Sequence, residues 1–131
     1  MTRTITPFLM FAGAAAEAMA LYISLFPDSS IVHVDHYGPG EPGAEGSVKH
    51  AEFILSGQRF RCIDSPITHD FTFTPSLSLF VDCEGAAELE RAFAQLADGG
   101  EVLMPLDNYG FSTRFGWLND RFGVSWQLNL P

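Results

Sequence analysis

VKHAEFILSGQRFRCID, residues 48–64, has the pattern of two strands joined by a two-residue turn. In the first half Ala51, Phe53 and Leu55 share one side, with His50, Glu52 and Ile54 on the other. In the second half Phe60 and Cys62 oppose Arg59 and Arg61. Ser56-Gly57 between them supplies the residue types that a tight hairpin needs. A ribbon of this kind must bury its apolar side. The other side then presents an imidazole, a carboxylate and two guanidinium groups away from the core.

Working outward, the same elements occur twice. TITPFLMF (4–11) reads as a strand and AAAEAMALYISLF (14–26) as a helix stopped by Pro27 and Asp28. SIVHVDHY (30–37) is a second strand, and the Gly- and Pro-rich GPGEPGAEGS (38–47) is expected to be a mobile excursion. The second pass runs through strand PSLSLFVDC (75–83) and helix GAAELERAFAQLADGG (85–100), which stops at Gly99 or Gly100. Strands EVLMPL (101–106), GFSTRFGWLN (110–119) and VSWQLNL (124–130) follow. Thr6 and Ser76, like Phe11 and Val81, lie 70 positions apart, while Gly57 and Gly123 lie 66 apart. These spacings predict a duplicated βαβββ unit in an α+β fold, with one module over about residues 1–68 and the other over about 69–131.

Composition narrows the function. A chain of 131 residues, 47% of them hydrophobic and 12 of them Phe, has the apolar surface for one core and a lined cavity. Sixteen acidic against seven basic residues give a net charge of -9, which disfavours nucleic acid and anionic membranes as partners. Cys62 and Cys83 have neither CxxC spacing nor a His-rich neighbourhood, as expected of reduced thiols in a cytoplasmic protein. The run from Ile5 to Phe26 imitates a secretory signal, but Pro7 and Glu17 interrupt it, and it continues as a patterned helix. Its apolar stretch is also shorter than the roughly 20 residues that a membrane span needs. There is no GxSxG elbow, no phosphate-cradling GxxxxGK[ST] and no dinucleotide fingerprint after a strand.

The stretches ITPFLMFAGAAAEAMALYISLF, EGSVKHAEFILSGQRFRCID and GEVLMPLDNYGFSTRFGWLNDRFGVSWQLNL resemble the PhnB-like branch of the vicinal oxygen chelate superfamily, the glyoxalase and bleomycin-resistance fold. The resemblance covers nearly the whole chain, and the ending from Met104 to Leu128 is its most distinctive part. It implies two βαβββ modules in a curved mixed sheet around a groove, helices outside, commonly as a homodimer. It also brings the description 3-demethylubiquinone-9 3-methyltransferase, which finds no strand, Gly-rich turn and helix for a nucleoside cofactor in this sequence.

With that fold, strand parity puts Ile5, Pro7, Leu9, Phe11, Leu77, Leu79 and Val81 beneath the helices. Thr6, Phe8, Met10, Ser76, Ser78, Phe80, Ser125, Gln127 and Asn129 are left for the groove, with His50, Glu52, Ile54, Arg59 and Arg61. Metal-dependent members carry His, Glu or Gln at positions that correspond, by the resemblance, to Thr6, Arg61, Ser76 and Gln127. Two hydroxyls, an amide and a permanently protonated guanidinium are a poor donor set, so no metal and no other cofactor are expected.

Two kinds of function remain. One is a module that binds a small, partly apolar molecule, which can be anionic, selected by Gln127, Arg61, His50 and Arg114. The other is a lyase, isomerase or thiol-transfer enzyme in which His50 and Glu52 pair as base and orienter, or a divalent metal is held in some other way. Each candidate has a structural alternative. Glu52 can pair with Lys49, Arg59 or Arg61, and Arg61 and Arg114 can be neutralised by Glu52, Asp64 or Asp120. Phe8, Phe80, Tyr109, Phe111, Trp117 and Trp126 can be core instead of cavity wall, Trp126 above all. His33, His36 and His69 are expected at the solvated surface.

Overall fold

Pro7 immediately precedes the first opening strand, and a turn in which Leu77 N donates to Thr74 O precedes the second. Proline has no N–H for a ladder, so strands start at or after it. In the computed structural model, which describes residues 2–131, β1 is Phe8–Phe11 and β5 is Ser78–Asp82. Both are shorter than the alternation predicts. Ile5 and Leu77, expected beneath the helices, precede the strands and are 88% and 73% exposed. Leu9 and Phe11 are buried as expected.

The remaining elements are α1 (Ala15–Leu25), β2 (Ser30–His36), β3 (Val48–Leu55), β4 (Gln58–Asp64), α2 (Ala86–Ala97), β6 (Glu101–Asp107), β7 (Arg114–Asn119) and β8 (Ser125–Leu130). The order βαβββ thus occurs twice. The strands form two four-stranded mixed sheets, ordered β1-β4-β3-β2 and β5-β8-β7-β6. In each, the first strand pairs in parallel with the last and the other pairings are antiparallel. The chain forms two compact units, one ending at His69 and one beginning at Asp70.

In the first unit, Ala51, Phe53, Leu55, Phe60 and Cys62 are buried, with Ala18, Met19, Tyr22 and Leu25 of α1 also in the core. Ser56 and Gly57 turn the hairpin with φ of 45° and 84°, as a two-residue type I′ connection requires. Helix α1 starts at Ala14, which offers no side-chain cap. Asp64, at the far end of β4, supplies one instead. Its Oδ1 accepts from Gly13 N and Ala15 N at 2.9 and 3.0 Å, and its Oδ2 accepts from Val48 N at 2.9 Å.

The loop between β2 and β3, expected to be a mobile excursion, is tied down. Tyr37 N donates to Ser47 O and Gly46 N to Tyr37 O, closing its base. The buried Tyr37 ring lies against Gly43, where a Cβ would come within 2.3 Å of it. Glu41 accepts from Gly38 N and from Lys49 Nζ, and the hydrogen bond from Lys49 holds its carboxyl below the usual range. Tyrosine packing and a local ion pair do what Gly and Pro content alone does not forecast.

In the second unit, Leu89, Ala92, Phe93 and Leu96 of α2 are buried, as are Leu118, Trp126 and Leu128. Gly116 on β7 lets the helix approach closely: a Cβ there would meet Phe93 at 2.4 Å and Leu106 at 2.8 Å. Asp120 holds the β7–β8 turn, accepting from Phe122 N, Val124 N and Trp126 Nε1 at 2.9 to 3.0 Å. Among the described residues no helix is long and apolar enough to cross a membrane.

Candidate functional site

Cross-strand register decides which side chains meet on the side of each sheet opposite the buried one. In the first unit His33, Glu52, Arg61 and Phe8 form one row across β2, β3, β4 and β1. Asp35 lies opposite His50 in the next row, and Met10 lies beside Ile63. Glu52 is the hub. Its Oε2 accepts from Arg59 Nη1 at 3.0 Å, and its Oε1 is 3.6 Å from Arg61 Nε. The second contact is too long for a hydrogen bond, so the Arg61 guanidinium, about half exposed, keeps its donors for another acceptor.

His50 and Glu52 are two apart on this face, but no contact between them joins the Glu52 ion pairs among the described residues. His33 Nε2 is 3.0 Å from Asp35 Oδ2, a carboxylate–imidazole contact that the alternation alone did not single out. The β2 register carries it, since a bulge between Ile31 and His33 resets which residues face the row. His36 Nδ1 contacts Gly46 O, and His69 Nε2 contacts Ser65 Oγ.

In the second unit the same side carries Ser78, Phe80 and Asp82 on β5, paired one to one with Ser125, Gln127 and Asn129 on β8. Asn119, Trp117 and Phe115 of β7 stand opposite those three in turn. Gln127 Nε2 donates to Ser78 Oγ at 3.1 Å, Ser78 and Ser125 hydroxyls are 2.7 Å apart, and Trp117 Nε1 donates to Ser125 Oγ at 2.8 Å. Phe115 is buried at the centre of an aromatic group. The Phe111 ring is 5.1 Å from it, Tyr109 6.2 Å and Phe80 6.3 Å. Trp126 is buried on the opposite side, as expected.

Arg114 requires a correction. It was expected in the groove, or neutralised by Glu52, Asp64 or Asp120. Its register, opposite Leu130 and in step with Gly116 and Leu118, places it on the helix side of β7. There its Nη1 donates to Glu90 of α2. One residue of offset from Phe115 is enough to change its face.

Thr6 and Ser76 also move. Both precede their strands, and Thr74 shares a hydroxyl contact with Ser76. The parallel ladders set Phe8 beside Arg61 and Phe80 beside Gln127. If Arg61 and Gln127 are equivalent, 66 positions apart, then Phe8 and Phe80 are equivalent at 72, not at the 70 read from the sequence. A shift of two positions keeps the face and changes the neighbour. The residue next to Arg61 or Gln127 is therefore a phenyl ring, not a hydroxyl.

Among the described residues no group of three or more His, Cys, Asp or Glu side chains is placed to hold a metal ion. Cys62 and Cys83 are buried and free. Burial pushes the Cys62 thiol up to about 12 and the Cys83 thiol up to about 11, so both stay protonated at neutral pH and are poor nucleophiles.

Two βαβββ units, each a four-stranded mixed sheet with one helix, define the fold as that of the vicinal oxygen chelate superfamily. The sequence matches the family described as 3-demethylubiquinone-9 3-methyltransferase over residues 3–129, and the chain belongs to this PhnB-like family. A PhnB protein from Bacillus cereus, described as a putative 3-demethylubiquinone-9 3-methyltransferase, is 55% identical with a TM-score of 0.96, over 98% of this chain and all of that one. Protein PA1353 from Pseudomonas aeruginosa is 29% identical with a TM-score of 0.85, over 98% of each chain. At 10% identity and a TM-score of 0.62, the fosfomycin resistance protein FosX from Listeria monocytogenes shares the fold, over all of this chain and 94% of its own. That protein was crystallised with Mn(II) and a dihydroxypropylphosphonic acid.

Proposed function

We propose that this protein binds a small, partly apolar, anionic molecule on its sheets, without a resident metal. The observation that carries the reading is the half-exposed Arg61, whose only ion-pair contact among the described residues is a 3.6 Å approach to Glu52. Beside it Phe8 and Met10 offer apolar surface. A carboxylate or phosphonate can take two parallel hydrogen bonds from such a guanidinium while its organic part covers the ring. The acidic charge of the chain makes a free cationic group on this face the natural point of anion capture.

The enzymatic alternative, with His50 and Glu52 as a catalytic pair or with a divalent metal, is less favoured. Glu52 is hydrogen-bonded to Arg59, which leaves it ill placed to orient His50, and the donor set at the superfamily positions suits a divalent ion poorly. Methyl transfer is not part of the reading. The β1–α1 connection is Ala12-Gly13-Ala14, with one glycine, not the Gly-rich turn of a nucleotide-binding unit. The protein acts as a cytoplasmic homodimer with neither nucleic acid nor membrane as partner. Buried free thiols, the acidic balance and the family's habit support this.

The test is a thermal-shift panel of aryl carboxylates, phosphonates and divalent ions, with metal analysis and light scattering of the purified protein. Stabilisation by acids, lost in Arg61→Gln, and a dimer mass are expected. Stoichiometric metal, or acid binding indifferent to Arg61, would turn the reading towards the enzyme; a monomeric mass would remove the dimer.

A further inference from the structure

The second unit's network has a proton count with one solution. Ser125 is 1% exposed, and its hydroxyl already accepts from Trp117 Nε1. Ser78 is the one acceptor within reach of its proton among the described residues. A buried hydroxyl does not leave its proton unused, so Ser125 donates to Ser78. Ser78 Oγ therefore accepts twice, from Ser125 and from Gln127 Nε2. Its own proton is left for the open side of the sheet. Gln127 Oε1 meets no donor among the described residues. An O–H donor and a C=O acceptor thus stand side by side, held by Ser125 and Trp117 on the same face.

The surroundings are aromatic. Phe80 pairs in register with Gln127, and both Phe80 and Phe111 are more than half exposed around buried Phe115. The charged residues in register with this face, Asp82, Glu101 and Asp107, are all acidic and repel an anion. Large rings left bare beside a neutral hydrogen-bonding pair describe a recognition surface of definite chemistry.

We infer that this face takes an uncharged, flat aromatic ligand whose edge carries adjacent C=O and N–H groups, as in an aryl lactam. The ligand's carbonyl accepts from Ser78 and its N–H donates to Gln127 Oε1, while the ring lies on Phe80 and Phe111. The inference rests on the proposal that the open sheet sides bind small molecules, and it names the class for the second unit.

Isoquinolin-1(2H)-one is the probe, followed by calorimetry and by quenching of the tryptophan fluorescence of the full chain, to which Trp117 and Trp126 both contribute. The lactam binds, and its N-methyl analogue binds about tenfold more weakly because one hydrogen bond is lost. Gln127→Leu weakens the lactam about tenfold and leaves the analogue unchanged, whereas Ser78→Ala weakens both. Thermal melts check the variants, and if either fails to fold, the lactam-against-analogue comparison on the unaltered chain still decides. Equal affinity for the two compounds overturns the inference. So does 1-naphthoate binding that depends on Ser78. Naphthoate bound through Arg61 with no lactam bound leaves the proposed function standing and removes this inference alone; no binding of either compound removes both.

Discussion

Replacing Asp64 by Asn changes one atom and reverses the sense of one hydrogen bond. The carboxylate accepts three backbone N–H groups, from Gly13, Ala15 and Val48. The amide can keep its carbonyl towards Gly13 and Ala15, but its NH2 then faces the Val48 N–H, donor against donor. A charge-assisted hydrogen bond contributes about 1.5–3 kcal/mol, and a buried unpaired donor costs about 1–3 kcal/mol. A loss of about 3 kcal/mol follows, a large share of the about 5–15 kcal/mol available to a small protein. Asp64→Ala removes the acceptors of all three N–H groups, leaves α1 without a side-chain cap and should cost about 5 kcal/mol. The assay is urea unfolding followed by far-UV circular dichroism, with Asp70→Asn, an exposed aspartate, as the control. At a slope of about 2 kcal/mol per molar, the Asn variant's midpoint falls by roughly 1.5 M. Amide exchange should quicken first at Val48. A midpoint shift below about 0.3 M, or faster exchange confined to other residues, would refute the reasoning.

Three further outcomes are expected. The Cys62 thiol has a folded pKa raised to about 12 from an unfolded value near 9, so the folded state holds the proton longer than the unfolded state between those values. Its contribution is therefore full below pH 9 and lost as pH rises towards 12, by about 1.4 kcal/mol per pH unit in that window. Unfolding at pH 8 and pH 10 should show a smaller alkaline loss in Cys62→Val than in the unaltered protein. Gly116→Ala forces a Cβ against Phe93 and Leu106, and should destabilise by about 2 kcal/mol, with Phe93→Leu restoring part of it in a double-mutant cycle. Gly43→Ala presses on the buried Tyr37 ring and should loosen the β2–β3 loop, read as faster proteolysis between Gly38 and Ser47 at little change in global stability.

The repeat and the alternation of Ala51, Phe53, Leu55, Phe60 and Cys62 were readable because period-two burial leaves a direct mark on sequence. Strand β3 and strand β4 have the expected bounds for the same reason. Strand starts were not readable, because Pro7 withholds a donor just before β1 and a Thr74–Leu77 turn precedes β5, and neither changes the alternation. The face of Arg114 was lost to a register that only its neighbours fix: Gly116 had to lie under Phe93 and Leu106. The roles of Asp64 and Asp120 were invisible too. Each carboxylate answers orphaned N–H groups, and for Asp64 those are far away along the chain.

The two units obey one topology and differ on the side that topology leaves unconstrained. Beneath the helices, a wrong residue costs packing, as Gly116 under Phe93 illustrates, so both buried sides are aliphatic and aromatic. On the other side the limit is looser, although Phe115, Ser125 and Asn129 are buried there, and the units differ in chemistry. The first shows His33, Asp35, His50, Glu52, Arg59 and Arg61; the second shows Ser78, Phe80, Phe115, Trp117 and Gln127. Charges in one unit and neutral hydrogen-bonding groups with rings in the other ask for different ligand groups. Exchanging Arg61 and Gln127, the residues at equivalent ladder positions beside Phe8 and Phe80, tests whether position or surroundings sets that choice. In Arg61→Gln/Gln127→Arg, an aryl carboxylate should lose binding and not regain it. The guanidinium introduced in place of the Gln127 amide lies within reach of Asp82 and takes an internal carboxylate as partner before it can take a ligand. Recovery of carboxylate affinity in the exchanged protein would show that the guanidinium alone, and not the Glu52-centred row around it, determines the preference.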